Sequence, residues 1–319
     1  MKATNIEKQY YGNQVIVSTK EEDCIIYKLE DESGSAILTR YEVFPGIALV
    51  YNDVHKQDIS IDSKDDIYHI FEINHCREGR IEFETAGGEY IYIKKGDIAV
   101  NTKDGVRNYS YFPLSHYHGV TIEIDFGVVE AEIPDVMKFI HIDLKKVKEK
   151  FVTNQHCYVF RENDHFEHLF AELYAIPEKI RKSYYQIKVM EILLFMSVLD
   201  VKSESVKNRY YNKKQVAIIK EIHNYMIKNI DKKLTINQLS EQYEMSATNV
   251  KKYFTEVYGN SIYAYLKEYR IQQAAKMLKS TTDDIAVIAG NVGYDNASKF
   301  ASSFKSVMGI TPNEFRKSV

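Results

Sequence analysis

The chain has 319 residues, 45% of them hydrophobic, with 42 Lys and Arg against 45 Asp and Glu for a net charge of −3. That length exceeds one ordinary domain and predicts two. The longest apolar run, "ILLFMSVL", falls far short of the roughly 20 residues of a membrane helix, and the opening "MKATNIEKQY" lacks the apolar core of a secretory signal, so a cytoplasmic protein is expected.

Residues up to about 130 read as strands. In "IYHIFEINH", Ile67, His69, Phe71, Ile73 and His75 share one face and Tyr68, Ile70, Glu72 and Asn74 the other; either could point inward. "RIEFETAGGEYIYI" is a hairpin signal with Gly87-Gly88 at its turn. "VTIEID" alternates again and predicts burial of Val120, Ile122 and Ile124. Short strands with glycine turns predict a sandwich or small barrel. Helical spacing follows through Phe166, Phe170 and Leu173, then through a stripe of Met190, Leu194 and Val198. That second helix is too apolar for a surface element and predicts burial against the barrel, a partner subunit, or both. Residues 202–213, within "KSESVKNRYYNKK", read as a linker.

From 214 to 319 the pattern is all helical. Thr235 with Gln238 forms a capping box signature, and Ser246, Thr282 and Asn296 are placed as further caps. Thr311-Pro312 opens a closing helix. From Lys213 onward there are 16 Lys and Arg against 10 Asp and Glu, a net +6, which leaves −9 on the remainder. A basic C-terminal part on an acidic body points to a polyanionic partner.

That basic part writes one pattern twice. Val250, Phe254, Gly259, Ser261 and Tyr265 recur at equal spacing as Phe300, Phe304, Gly309, Thr311 and Phe315. Each copy is helix, tight turn, helix, whose second helix can enter a DNA major groove. The connecting helix of about 19 residues spans roughly 28 Å, close to the roughly 34 Å of a DNA turn. Glu244 stands at the turn position that Gly293 fills in the second copy.

"LSEQYEMSATNVKKYF", "GNSIYAYLKEYRIQQAAKML" and above all "IAVIAGNVGYDNASKFASSFKSVMGITPNEFRK" resemble the DNA-binding domain of the AraC/XylS family of transcription regulators. Residues 1–201 resemble, more weakly, the cupin-like effector-binding barrel and dimerisation helices of that family, through "PGIALVYND", "FEINHCREGRIEFE" and "YIKKGDIAV". The resemblance implies an α+β two-domain chain: a barrel to about 130, helices at about 163–201, and a double helix-turn-helix domain over 214–319. It also implies a homodimer acting on operator DNA with RNA polymerase, more often as activator, under control of a small-molecule effector. By position, Thr248, Lys251 and Lys252 face DNA from the first copy, and Ala297, Ser298, Ala301 and Ser302 from the second, flanked by Lys299 and Lys305. The second set has no Arg, Gln or Asn, so the first is expected to choose the site and the second mainly to hold phosphates.

Effector candidates are Tyr51, His69, Glu72, His75, Arg80, Tyr92 and His118, which suit a sugar, an aromatic acid or a similar polar ring. His116 and His118 are spaced to share a strand face, but no carboxylate follows at the spacing of cupin enzymes; packing is the simpler reading, and no metal or cofactor is expected. The competing readings are a metal-dependent cupin enzyme with a DNA-binding tail and a regulator whose barrel only dimerises. Cys24, Cys76 and Cys157 are too scattered for a zinc site or for a repair methyltransferase, and read as free thiols.

Overall fold

The computed structural model describes residues 2–21, 23–60, 70–85, 87–102, 106–129, 134–151, 157–161, 164–199 and 211–318. The chain forms two compact units, Met1–Asn212 and Lys213–Val319.

The N-terminal unit opens on α1, Asn5–Tyr11, which the strand reading did not anticipate. Its signal was present: Thr4 accepts from the Glu7 amide while the Glu7 carboxylate accepts from the Thr4 amide, a capping box. The strands are β1 Ile16–Lys20, β2 Cys24–Asp31, β3 Gly34–Phe44, β4 Ile47–Lys56, β5 Asp58–Ser60, β6 Ile70–Thr85, β7 Glu89–Lys94, β8 Ile98–Thr102, β9 Val106–Tyr111, β10 Tyr117–Asp125, β11 Cys157–Phe160 and β12 Tyr211–Asn212. They pair antiparallel in an extended sheet ordered β1-β2-β3-β4-β10-β6-β7-β12, a half-barrel. Strand β6 organises it: its first half lies between β10 and β8, its second half between β7 and β9.

Both faces of this sheet are covered. On one, Ile47, Leu49, Phe71, Ile73, Val120, Ile122 and Ile124 pack against helices α2 Phe126–Val129, α3 Asp135–Phe139, α4 Leu144–Phe151, α5 Asp164–Ala171 and α6 Arg181–Val198. On the other, Val17, Tyr27, Leu38, Val50, Val54, Ile81, Phe83, Ile91 and Ile93 form the inner core. Val120, Ile122 and Ile124 are fully buried as expected, but toward the helices. After β10 the chain turns helical from Phe126, and the wholly buried β11 returns to pair with β8, a strand that lacks any alternation to announce it. In α6 the buried side chains are Tyr185, Lys188, Val189, Ile192, Leu193 and Met196. The expected stripe is rotated outward, with Leu194 46% and Val198 74% exposed. All three cysteines are buried free thiols.

The C-terminal unit is helical: α7 Lys213–Lys228, α8 Ile236–Gln242, α9 Ala247–Tyr258, α10 Ile262–Ser280, α11 Ile285–Asn291, α12 Ala297–Met308 and α13 Pro312–Lys317. Thr235, Ser246, Asn296 and Thr311 cap as anticipated. Thr282 does not. The Thr281 hydroxyl donates back to the Met277 carbonyl and accepts from the Asp283 amide, so this stretch closes α10, and Asp284 becomes the cap of α11. Among the described residues, no helix is long and apolar enough to cross a membrane.

Candidate nucleic-acid interface and ligand cavity

The two helix-turn-helix motifs are α8–α9 and α11–α12, joined by α10. Each second helix is pinned by large apolar residues one turn apart: Val250 and Phe254 in α9, Phe300 and Phe304 in α12, all with 0% exposure. Burying that stripe turns the opposite face to solvent. Thr248, Lys251 and Lys252 are exposed on α9; Ala297, Ser298, Lys299, Ser302 and Lys305 are exposed on α12, and Ala301 is half-buried. Each helix therefore presents one polar face made of the residues anticipated. Asn296 accepts from the Ser298 and Lys299 amides, which fixes where α12 starts.

The turns differ as the sequence suggested. Gly293 takes φ 81°, and Glu244 holds the equivalent left-handed position at φ 50°. Gly293 is also a close approach. A Cβ there would fall 2.7 Å from the Ile230 carbonyl oxygen and 2.7 Å from the Arg270 guanidinium. Arg270, on α10, donates to the carbonyls of Ile230 (2.9 Å), Lys232 (2.8 Å) and Gly293 (3.5 Å). One side chain thus ties the end of the first motif's supporting helix to the turn of the second. Sequence reasoning missed it, because nothing local distinguishes a structural arginine on a helix from a solvated one.

Residues 239–318 match a family model described as a helix-turn-helix domain. The C-terminal unit carries an AraC-type helix-turn-helix domain. The uncharacterized regulator YdiP of Escherichia coli K12 is 34% identical over 119 residues, 36% of this chain and 39% of YdiP. The chain thus matches about two fifths of that relative's length. The uncharacterized regulator YisR of Bacillus subtilis is 25% identical over 274 residues, 79% of this chain and 88% of YisR. Among solved structures, the C-terminal domain of AraT, a response regulator from Geobacillus stearothermophilus, is 30% identical, covers 32% of this chain and 85% of its own, and superposes with a TM-score of 0.31.

Ahead of the AraC-type domain in the chain, the N-terminal unit holds a cavity of about 130 Å³. Its walls include Tyr10 and Tyr11 of α1, Asn52 of β4, Glu72 and Asn74 of β6, Tyr109 of β9, and Thr121 and Glu123 of β10. A hydrogen-bond relay crosses it. Asn52 donates to Thr121 (2.9 Å), Thr121 to Asn74 (2.8 Å), Asn74 to Asn101 (2.9 Å) and Asn101 to Glu72 (2.9 Å). Tyr11 donates to Glu123 (3.1 Å), which also lies 3.6 Å from Arg40. These polar residues alternate with the apolar ones that face the helices, so the inward face of β6 is the one carrying Glu72 and Asn74.

The effector candidates are scattered across this unit. Glu72 lines the cavity. His75 points the other way: it stacks on Phe170 at 4.5 Å, its Nδ1 lies 3.0 Å from the Tyr174 hydroxyl, and burial pushes its pKa down to about 4. Tyr51 joins the same outer core and donates to the Leu173 carbonyl. Arg80 lies over the Tyr92 ring, and Tyr92 donates to Glu82. His118 sits beside Asp53. His69 falls outside the described residues. Asn52, Asn74, Thr121, Glu123, Tyr10 and Tyr11 line the cavity without having been anticipated; on the strands, polar residues at every second position were the available signal.

Proposed function

We propose that this chain is a ligand-responsive transcription regulator that inserts α9 and α12 into successive major grooves of operator DNA. The observation that carries this reading is the pair of exposed polar faces on two equivalent helices joined by the 19-residue α10. At 1.5 Å per residue that helix is about 28 Å long, which suits one domain to neighbouring groove faces. A net +6 from Lys213 onward supports phosphate binding. The polar cavity supports a small-molecule effector with several hydrogen-bonding groups, such as a sugar or a polar ring. The outward stripe of Ile187, Leu194 and Val198 on α6, each 46–74% exposed, supports a homodimer. Activation through RNA polymerase, in the cytoplasm, completes the reading.

Lys251 and Thr248 stand where bases are read, and Lys299 and Lys305 flank a face of small residues. Fluorescence anisotropy on a site selected from random DNA, and on an unselected duplex, tests the division of labour. Lys251→Ala is expected to cost about 1–3 kcal/mol on the selected site and much less on the other. Lys299→Ala should weaken both alike and reduce the log–log salt slope by about 0.9. Equal losses from Lys251→Ala on both duplexes would overturn the assignment, a flat salt response would sink DNA binding itself, and titration to one chain per site would remove the dimer.

A metabolite that fills the cavity should stabilise the N-terminal unit by about 2.7 kcal/mol at 100 times its dissociation constant. Thermal-shift screening reads this directly. A hit whose shift survives Asn74→Leu would place the effector elsewhere.

A further inference from the structure

Asn52 and Val54 of β4 line the cavity, so Asp53 and His55 occupy the opposite face of that strand. His118 lies directly across from Asp53 in the β10 register. His116 enters from the turn before β10, just after Ser115 at φ 49°, with its carbonyl oxygen packed where a side chain on Gly79 would have to stand. Two strands and one turn thus bring three imidazoles together, with ligating atoms of His55, His116 and His118 all within 4.8 Å of one another. The spacing of His116 and His118 was visible in the sequence. The third imidazole was not, because β4 lies some sixty residues earlier.

The polar atoms around these rings lie close together. Asp53 Oδ1 is 2.9 Å from His55 Nε2 and 2.9 Å from His118 Nε2. His116 Nδ1 is 3.5 Å from His55 Nδ1, and Glu78 Oε2 is 3.6 Å from His116 Nε2. Metal–nitrogen and metal–oxygen bonds of about 2.0–2.1 Å set neighbouring donors about 3–3.5 Å apart. A second observation concerns direction. Asp53 Oδ1 and His118 Nε2 are both shielded from solvent, and their 2.9 Å contact lacks the direction of a hydrogen bond. Buried polar atoms are ordinarily hydrogen-bonded, and a shared ion would satisfy both.

We propose that His55, His116 and His118, with Asp53 as carboxylate donor, bind one divalent transition-metal ion of the zinc class. Three imidazoles and one carboxylate suit zinc, nickel or cobalt better than magnesium or calcium, which prefer all-oxygen shells. Glu78, beside the His116 ring, is placed to orient it from outside. The side chains are 34–54% exposed, so the ion can exchange with solution. It would fasten β4 to β10, whose other faces supply Asn52, Val54 and Thr121 to the cavity wall.

Equilibrium dialysis of the full chain, free of any histidine tag and stripped with chelator, tests this with Zn²⁺ and Co²⁺ alone. One ion per chain is expected, with the cobalt form showing the visible absorption of a nitrogen-rich, low-coordinate site. His55→Gln/His118→Gln should weaken binding at least 100-fold and His116→Gln, at its turn, at least 10-fold, while His168→Gln leaves it unchanged. Circular dichroism checks that each variant remains folded, and the single His116 variant carries the test if the double one does not. Absence of stoichiometric binding by the parent chain, or equal affinity in a folded His116→Gln variant, overturns the site.

Discussion

Gly293→Val is expected to destabilise the helical unit by about 3–5 kcal/mol and to abolish selective DNA binding. Two costs add. A β-branched residue held at φ 81° is strained by about 1–3 kcal/mol. Its Cβ would also fall within 2.7 Å of the Ile230 carbonyl and of Arg270, and forced overpacking costs about 1–3 kcal/mol more. The collision displaces Arg270, whose bonds to the Ile230 and Lys232 carbonyls then weaken; charged hydrogen bonds of this kind contribute about 1.5–3 kcal/mol each. Urea unfolding followed by circular dichroism measures the loss, and a change below about 1 kcal/mol would show that the turn tolerates a side chain. The first turn predicts the opposite sign. Glu244 already occupies the left-handed region at φ 50°, so Glu244→Gly relieves strain there, and a gain of up to about 1 kcal/mol is expected in the same assay.

Acid should loosen the helical unit before its carboxylates protonate. His223 is buried in α7, stacked on Tyr258 at 4.3 Å, with Nε2 2.8 Å from the Tyr265 hydroxyl. Burial pushes its pKa down to about 4 from an ordinary 6.5. The unfolded chain therefore binds a proton that the folded chain refuses between those values, and stability falls as pH drops. The contribution is complete above about pH 6.5 and has cost about 3 kcal/mol by pH 4. His223 is the only histidine from Lys213 onward, so the effect is assignable. Hydrogen exchange at the Phe254 and Ile271 amides, corrected for intrinsic rates, reads it within the full chain. His223→Phe keeps the stack and should flatten the profile between pH 6.5 and 4; an unchanged slope would rule this histidine out. His75 carries the same direction and cause in the N-terminal unit and should add a parallel loss there.

The helix-turn-helix pair was legible because its determinants are local. Thr235 and Gln238 meet within one turn, Asn296 reaches amides two and three residues on, and Phe300 and Phe304 share a helix face by spacing alone. The exposed faces of α9 and α12 follow from those buried stripes. The N-terminal unit was only half legible. Alternation in "VTIEID" and "IFEINH" announced strands, yet both faces of the sheet are covered, so alternation marked two interiors rather than core and solvent. Thr121 and Glu123 alternate with the buried Val120, Ile122 and Ile124 and line a cavity.

In the C-terminal part, helix positions, most caps and each copy of the turn were written in runs of fewer than twenty residues, where bonded geometry and helical period are sufficient. The inward face of β6, the clamp made by Arg270 and the meeting of His55 with His116 and His118 required partners forty to sixty residues away along the chain. Strand register and loop closure choose those partners through the packing of the whole unit, and no local pattern encodes them.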